Sequence, residues 1–186
     1  MSEQKVVLDG DDMRRTLVRI AHEIVERHEG PDGLAVVGIQ RRGAILAERL
    51  HGLLCDLVEA DVPLGFVDIS FYRDDLSHRT ETPQVHATRV DFPIDGSTVV
   101  IVDDVLYTGR TVRAAIDALF DFGRPAKVQL AVLADRGHRE LPIRPDYVGK
   151  NLPTARNERV NVRVDELDGC DEVVIQTAAM NGVNEA

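Results

Sequence analysis

Apolar residues recur along this chain with two alternating habits. Met13, Leu17, Ile20 and Ile24 share one face of a helix running to about His28, with Arg15, Arg19 and His22 on the opposite face. Continuous apolar runs at 34–39 and 99–102 instead fit short strands buried on both faces, the habit of a parallel sheet covered by helices, and 127–133 reads as another strand. Helical spacing returns at 44–56 and at 112–120, so strand and helix alternate. Residues 5–8 read as a short edge strand, and Asp9 or Asp11 as the N-cap of the helix that follows. Two further apolar stretches, 160–164 and 173–175, suit a small additional sheet.

Length and composition narrow this picture. A chain of 186 residues suits one domain with a real core. No apolar run approaches the roughly 20 residues of a membrane span. The N-terminal residues lack the layout of a secretory signal, and Cys55 and Cys170 make neither a metal nor a disulfide spacing. A reducing, cytoplasmic setting is the expectation. The net charge of −10 argues against nonspecific nucleic-acid binding over the whole surface but leaves room for a local basic patch. The acidic cluster Asp9, Asp11 and Asp12 lacks the ligand spacing of a calcium loop and reads as cap and turn.

The chemistry concentrates after the strand at 99–102. Asp103 and Asp104 end it, and Tyr107-Thr108-Gly109-Arg110-Thr111 leads directly into the next helix. Exposed N–H groups at that helix start, two threonine hydroxyls and the helix dipole make an anion site. Carboxylates immediately upstream would repel a phosphate; they suit the hydroxyls of a sugar carrying it, or a metal ion. A second strand-to-helix junction, Gln40-Arg41-Arg42-Gly43, combines a glycine for close backbone approach with two guanidinium charges. Neither G-x-x-x-x-G-K-[ST] nor G-x-G-x-x-G occurs anywhere.

The strand, the two acids and the Thr-Gly-Arg-Thr loop resemble the phosphoribosyl pyrophosphate (PRPP) motif of type I phosphoribosyltransferases. Four apolar residues followed by D-D-x-x-x-T-G-x-[ST] would arise by chance in a chain this size roughly once in a hundred thousand. The strings I-S-F-Y-R-D-D-L at 69–76 and D-R-G-H-R-E-L-P-I-R at 135–144, with D-Y-V-G-K-N at 146–151, are similar to one branch. That branch comprises pyrimidine-operon attenuation regulators that are also uracil phosphoribosyltransferases.

The resemblance implies a type I phosphoribosyltransferase fold: a mostly parallel five-stranded sheet flanked by helices, with a small hood. It makes 1–176 a single domain whose N- and C-terminal segments form the hood, and 177–186 a disordered tail. It places the 5′-phosphate on Tyr107, Thr108, Gly109, Arg110 and Thr111, and the ribose diol on Asp103 and Asp104. Pyrophosphate falls to Arg41, Arg42 and Gly43, the nucleobase to Tyr147 and Val148, and a catalytic role to Arg73 at the base of a lid at 77–84. Mg²⁺ would arrive with PRPP, with Asp103 and Asp104 as the only candidates for direct contact.

The implied reaction makes UMP and pyrophosphate from uracil and PRPP. Tyr107 stands where purine enzymes of similar motif carry an acid, which favours a pyrimidine. The implied second function is UMP- or UTP-responsive binding of pyrimidine-operon leader mRNA, with Arg15, Arg19, His22, Arg27, His138, Arg139, Arg144 and Lys150 as candidate contacts. Val18 stands where RNA-binding relatives carry Thr, and Arg41 where pyrophosphate loops carry Thr. A salvage enzyme without RNA binding and a purine phosphoribosyltransferase remain the alternatives, as does a catalytically silent PRPP- or nucleotide-sensing module. No membrane partner is expected; a homo-oligomer is.

Overall fold

The computed structural model describes residues 4–28, 30–70, 72 and 87–177. Its centre is a five-stranded, wholly parallel sheet in the order β3-β2-β4-β5-β6. The strands are β2 (Leu34–Ile39), β3 (Leu64–Val67), β4 (Thr98–Leu106), β5 (Lys127–Asp135) and β6 (Tyr147–Asn151). The side-chain period of two divides them between two cores. Val36, Val100, Val102 and Leu133 face α1 (Gly10–Arg27) and α2 (Arg42–Val58); Val37, Val99, Ile101 and Val132 face α3 (Arg110–Phe120).

Local sequence explains most of the element ends. Met13, Leu17, Ile20 and Ile24 are all buried, as the helical spacing predicts. Asp9 caps α1 in a reciprocal capping box with Asp12, each carboxylate accepting from the other's backbone N–H. β4 differs from expectation. It continues through Asp103 and Asp104 to Leu106 because β5 pairs alongside it as far as Asp135, so the two acids lie within the strand. α2 starts two residues earlier than its apolar spacing suggests, at Arg42, and lacks a side-chain cap.

A three-stranded antiparallel sheet, β1-β8-β7, joins the two chain ends. It consists of β1 (Gln4–Leu8), β7 (Glu158–Arg163) and β8 (Glu172–Thr177), with the short α4 (Asp165–Asp168) between the last two. Val160, Val162 and Val173 feed the core beneath α1 and α2, which seats this sheet over the carboxyl end of β4. No helix among the described residues is long and apolar enough to cross a membrane.

Candidate active site

β3 continues to one side of β2 and β4 to the other, so strand order reverses between β2 and β4. Crevices for ligands open at such a switch point, beyond the carboxyl ends of the strands. Here that position is occupied by the Arg41–Gly43 junction and by Asp103 and Asp104.

The loop after β4 is built tightly. Gly109 occupies the N-cap position of α3 at φ +93°, a conformation that glycine adopts without steric cost. The Thr108 hydroxyl accepts from the Arg110 backbone N–H at 3.3 Å. No side chain caps α3, so its first-turn N–H groups turn toward the loop. The β5–β6 connection closes over it: the N–H groups of Glu140 and Leu141 donate to the Thr108 carbonyl at 3.0 and 3.1 Å. Arg110 pairs with Glu140 at 2.7 Å. A cavity of about 310 Å³ remains, lined by Asp103, Tyr107, Thr108, Gly109, Thr111 and Glu140.

The two acids face different hollows, as neighbours in a strand must. Asp103 is buried, accepts from the Asp104 N–H at 2.9 Å and opens toward the Thr108–Thr111 cavity. Asp104 accepts from the Val105 N–H at 2.9 Å and lines a second hollow of about 290 Å³ together with Arg42, Asn161 and Asp168.

The second junction approaches β4 closely. A Cβ on Gly43 would lie 2.7 Å from the Val102 carbonyl oxygen and 3.2 Å from a carboxylate oxygen of Asp103, so only glycine fits. The Gln40–Arg41 peptide is cis. Arg41 is exposed, beside a third hollow lined by Gln40, Glu48, Phe66 and Arg89. Arg42 turns the other way and forks onto both Asp168 oxygens at 2.8 and 3.1 Å, while its buried Nε has no hydrogen-bond partner among the described residues. The Val164 backbone N–H, opposed by burial and helped by Arg42, holds the Asp168 carboxyl below its ordinary pKa.

Tyr147 requires a correction. Its ring is 1% exposed, lies under the Arg27 guanidinium 4.9 Å from the ring centroid, and its hydroxyl donates to Gln129. Burial pushes the phenol pKa up. First in β6, it points into the α1 core, so it cannot stack on a base in the crevice. Val148 points to the other face, in register with Val132 and Asp103.

Arg136, which sequence reasoning left out of the site, sits at the crevice instead. It is 7% exposed and donates to Thr154 and to the Glu158 carbonyl, and its guanidinium covers the Tyr107 ring at 4.0 Å. Its position directly after β5, beside the strand that leads into the Thr108–Thr111 loop, was the available signal. Tyr107 is 40% exposed, with the His138 ring edge-on at 6.0 Å.

The basic candidates divide. Arg19 donates to the carbonyls of Val148 and Gly149, Arg27 lies 3.5 Å from Asp146, and Lys150 donates to the Val7 carbonyl. These three therefore gather on one face where α1 crosses β6. His22 and Arg144 are exposed. Arg15 pairs with Asp12 on the same helix. His138 is exposed but bonded to the Thr154 carbonyl. Arg139 bonds Asp135 and the carbonyls of Tyr107 and Ile143, so it shapes the β5–β6 connection. Arg73 and the lid at 77–84 lie outside the described residues, as does 178–186.

A phosphoribosyl transferase domain profile matches residues 4–167. The bifunctional protein PyrR of Roseiflexus sp. is 59% identical over 181 residues, covering 96% of this chain and 99% of its own. The bifunctional protein PyrR of Listeria welshimeri is 57% identical, covering 94% and 97%. The chain belongs to the phosphoribosyl transferase family, among the bifunctional PyrR proteins. The hypoxanthine phosphoribosyltransferase of Trypanosoma cruzi has the same fold, with TM-score 0.70 at 22% identity over 94% of this chain and 97% of its own. The Staphylococcus aureus hypoxanthine phosphoribosyltransferase gives 0.69 at 21% identity, covering 94% and 93%.

Proposed function

We propose that this protein converts uracil and PRPP to UMP and pyrophosphate, and that the same chain binds pyrimidine-operon leader RNA under UMP or UTP control. The observation that carries the enzymatic reading is the cavity between Asp103 and the Thr108–Thr111 loop, with the half-exposed Tyr107 at its margin. The 5′-phosphate rests on the loop N–H groups and the Thr108 and Thr111 hydroxyls; Asp103 and Asp104 take the ribose hydroxyls. Arg41 and the backbone at Gly43 receive the pyrophosphate, with Arg42 reaching it only on release from Asp168. The base lies against Val148, with the Arg136–Tyr107 pair as the neighbouring polar wall.

Holding both reactants in register does most of the catalytic work, together with electrostatic stabilisation of a cationic ribosyl group and a departing anion. Two neighbouring carboxylates are ligands that suit a divalent ion or its water as well as a sugar hydroxyl. Mg²⁺ bound with PRPP supplies neutralisation of the pyrophosphate charge. Tyr107 offers a hydroxyl where purine enzymes of similar motif carry a carboxylate, which disfavours purines. Residues 1–176 act as one domain with the small sheet as its hood.

Steady-state kinetics with uracil and with hypoxanthine test this reading. Thr108→Val and Asp104→Asn are each expected to lower kcat/KM for PRPP on the order of a hundredfold with the fold intact. Unchanged kinetics in both, or preference for hypoxanthine, would sink it.

RNA binding is supported by the gathering of Arg19, Arg27 and Lys150 where α1 crosses β6, with His22 and Arg144 exposed. Filter binding of leader RNA against a scrambled control, with and without UMP, is expected to give sequence-selective, UMP-enhanced binding. His22→Ala should weaken it while sparing uracil turnover, and Arg144→Ala should reduce the log–log salt slope by about 0.7. Equal affinity for the scrambled RNA leaves the salvage-enzyme alternative standing.

A further inference from the structure

The far end of α2 carries a side-chain cluster that phosphoribosyl transfer does not use. His51 and Cys55 are one helical turn apart on the same face, and the Cys55 Sγ lies 3.3 Å from the His51 Nε2. Glu59 ends the helix at φ +50°, and the reversed chain brings back Asp61, whose Oδ1 is 3.9 Å from the same nitrogen. One donor atom from each of the three side chains lies within 4.8 Å of the others. The buried Val62 contributes its carbonyl oxygen, 2.7 Å from Nε2.

We propose that His51, Cys55 and Asp61 form a binding site for a thiophilic divalent cation of the zinc class. Bonds of about 2.0 Å to nitrogen and about 2.3 Å to sulfur at a tetrahedral centre put the two donors about 3.5 Å apart. The observed Nε2 to Sγ separation of 3.3 Å therefore needs little adjustment. Asp61 has a side chain 97% exposed and is free to close the remaining gap. The thiolate and carboxylate together balance a double positive charge, and the carboxyl end of the helix dipole adds to the attraction.

Coordination takes the Nε2 lone pair, so the imidazole proton resides on Nδ1 and the Nε2 contact with Val62 gives way to the ion. The thiol proton leaves to solvent. The Val62 carbonyl or a water supplies the fourth ligand. A thiolate in the set selects zinc-like ions over Mg²⁺, which prefers six oxygens. Twelve residues of helix, about 18 Å, separate Cys55 from the Gly43 junction, so this ion is distinct from any that accompanies PRPP. The sequence did not suggest it, because a His and a Cys four apart match no familiar metal spacing and Asp61 joins them only after the helix ends.

The test is a cobalt(II) titration of the metal-stripped, reduced, full-length protein, followed by zinc displacement. The expected result is one equivalent bound, with visible ligand-field bands and a sulfur-to-cobalt charge-transfer band. Zinc should abolish these bands, and a hundredfold excess of Mg²⁺ should leave them unchanged. Cys55→Ser should lose the charge-transfer band, Cys170→Ser should keep it, and His51→Asn should weaken binding at least tenfold. Asp61→Asn, at a position too exposed to threaten folding, should also weaken binding about tenfold. Absence of a thiolate band, its persistence in Cys55→Ser, or unaltered affinity in Asp61→Asn overturns the proposal.

Discussion

Two strand-to-helix junctions meet at the crevice, and they are made in different ways. The Thr108–Thr111 loop is largely its own work: a glycine in the left-handed region, a threonine hydroxyl on a nearby N–H, and an uncapped helix start. The Arg41–Gly43 junction is made by its neighbours. Gly43 sits against the Val102 carbonyl, and Arg42 is turned by Asp168, which is itself held by the Val164 N–H. A loop that encodes its own geometry tolerates loss of its outer ties, whereas a loop shaped by tertiary contact depends on the elements that touch it.

That difference can be broken most directly at Gly43. Gly43→Ala forces α2 away from β4 and should cost about 3 kcal/mol, lowering Tm by roughly 6–12 °C and raising KM for PRPP. Calorimetry with unchanged Tm and unchanged KM would mean that the close approach is dispensable.

The next effect lies in the support behind Arg42. Arg49 joins α2 to the segment between β7 and β8 through Glu166 and Asp171. Burial opposes its charge, but the two carboxylates raise its pKa well above the ordinary guanidinium value. Arg49→Ala should cost about 2 kcal/mol, or roughly 4–8 °C in Tm.

The same carboxylates predict an acid limit. Arg49 lowers the Glu166 pKa; for Asp171, burial pushes upward but Arg49 and the Asp165 N–H lower it on balance. Asp168 is lowered mainly by the Val164 N–H. With folded values below the ordinary 4.5 and 3.8, the unfolded chain takes up protons first as pH falls. The stabilisation is thus complete above the ordinary carboxylate range and lost as pH drops through and below it. A stability profile from pH 7 downward should fall less steeply in Arg49→Ala than in the wild type. Parallel profiles would refute the linkage.

The smallest effect is expected at the self-made loop. Arg110 and Glu140 are about half exposed, and such pairs contribute about 0–1 kcal/mol. Arg110→Ala should therefore move Tm by less than about 4 °C; a fall as large as that of Gly43→Ala would erase the distinction between the junctions.

What the sequence determined by itself is whatever depends on near neighbours. Helical spacing located α1 and its buried face, apolar runs located β2 and β5, and the order of acids, glycine and hydroxyls located the Thr108–Thr111 turn into α3, because caps, turns and periodicity act within a few residues. Tertiary structure decided what depends on which face a residue meets. β5 pairing carried β4 through Asp103 and Asp104 and so turned the two acids toward different hollows. The start of β6 turned Tyr147 into the α1 core and left Arg136, from the end of β5, beside Tyr107. In a sheet, one residue of register reverses a side chain's destination, and that register is set by strands far away in sequence.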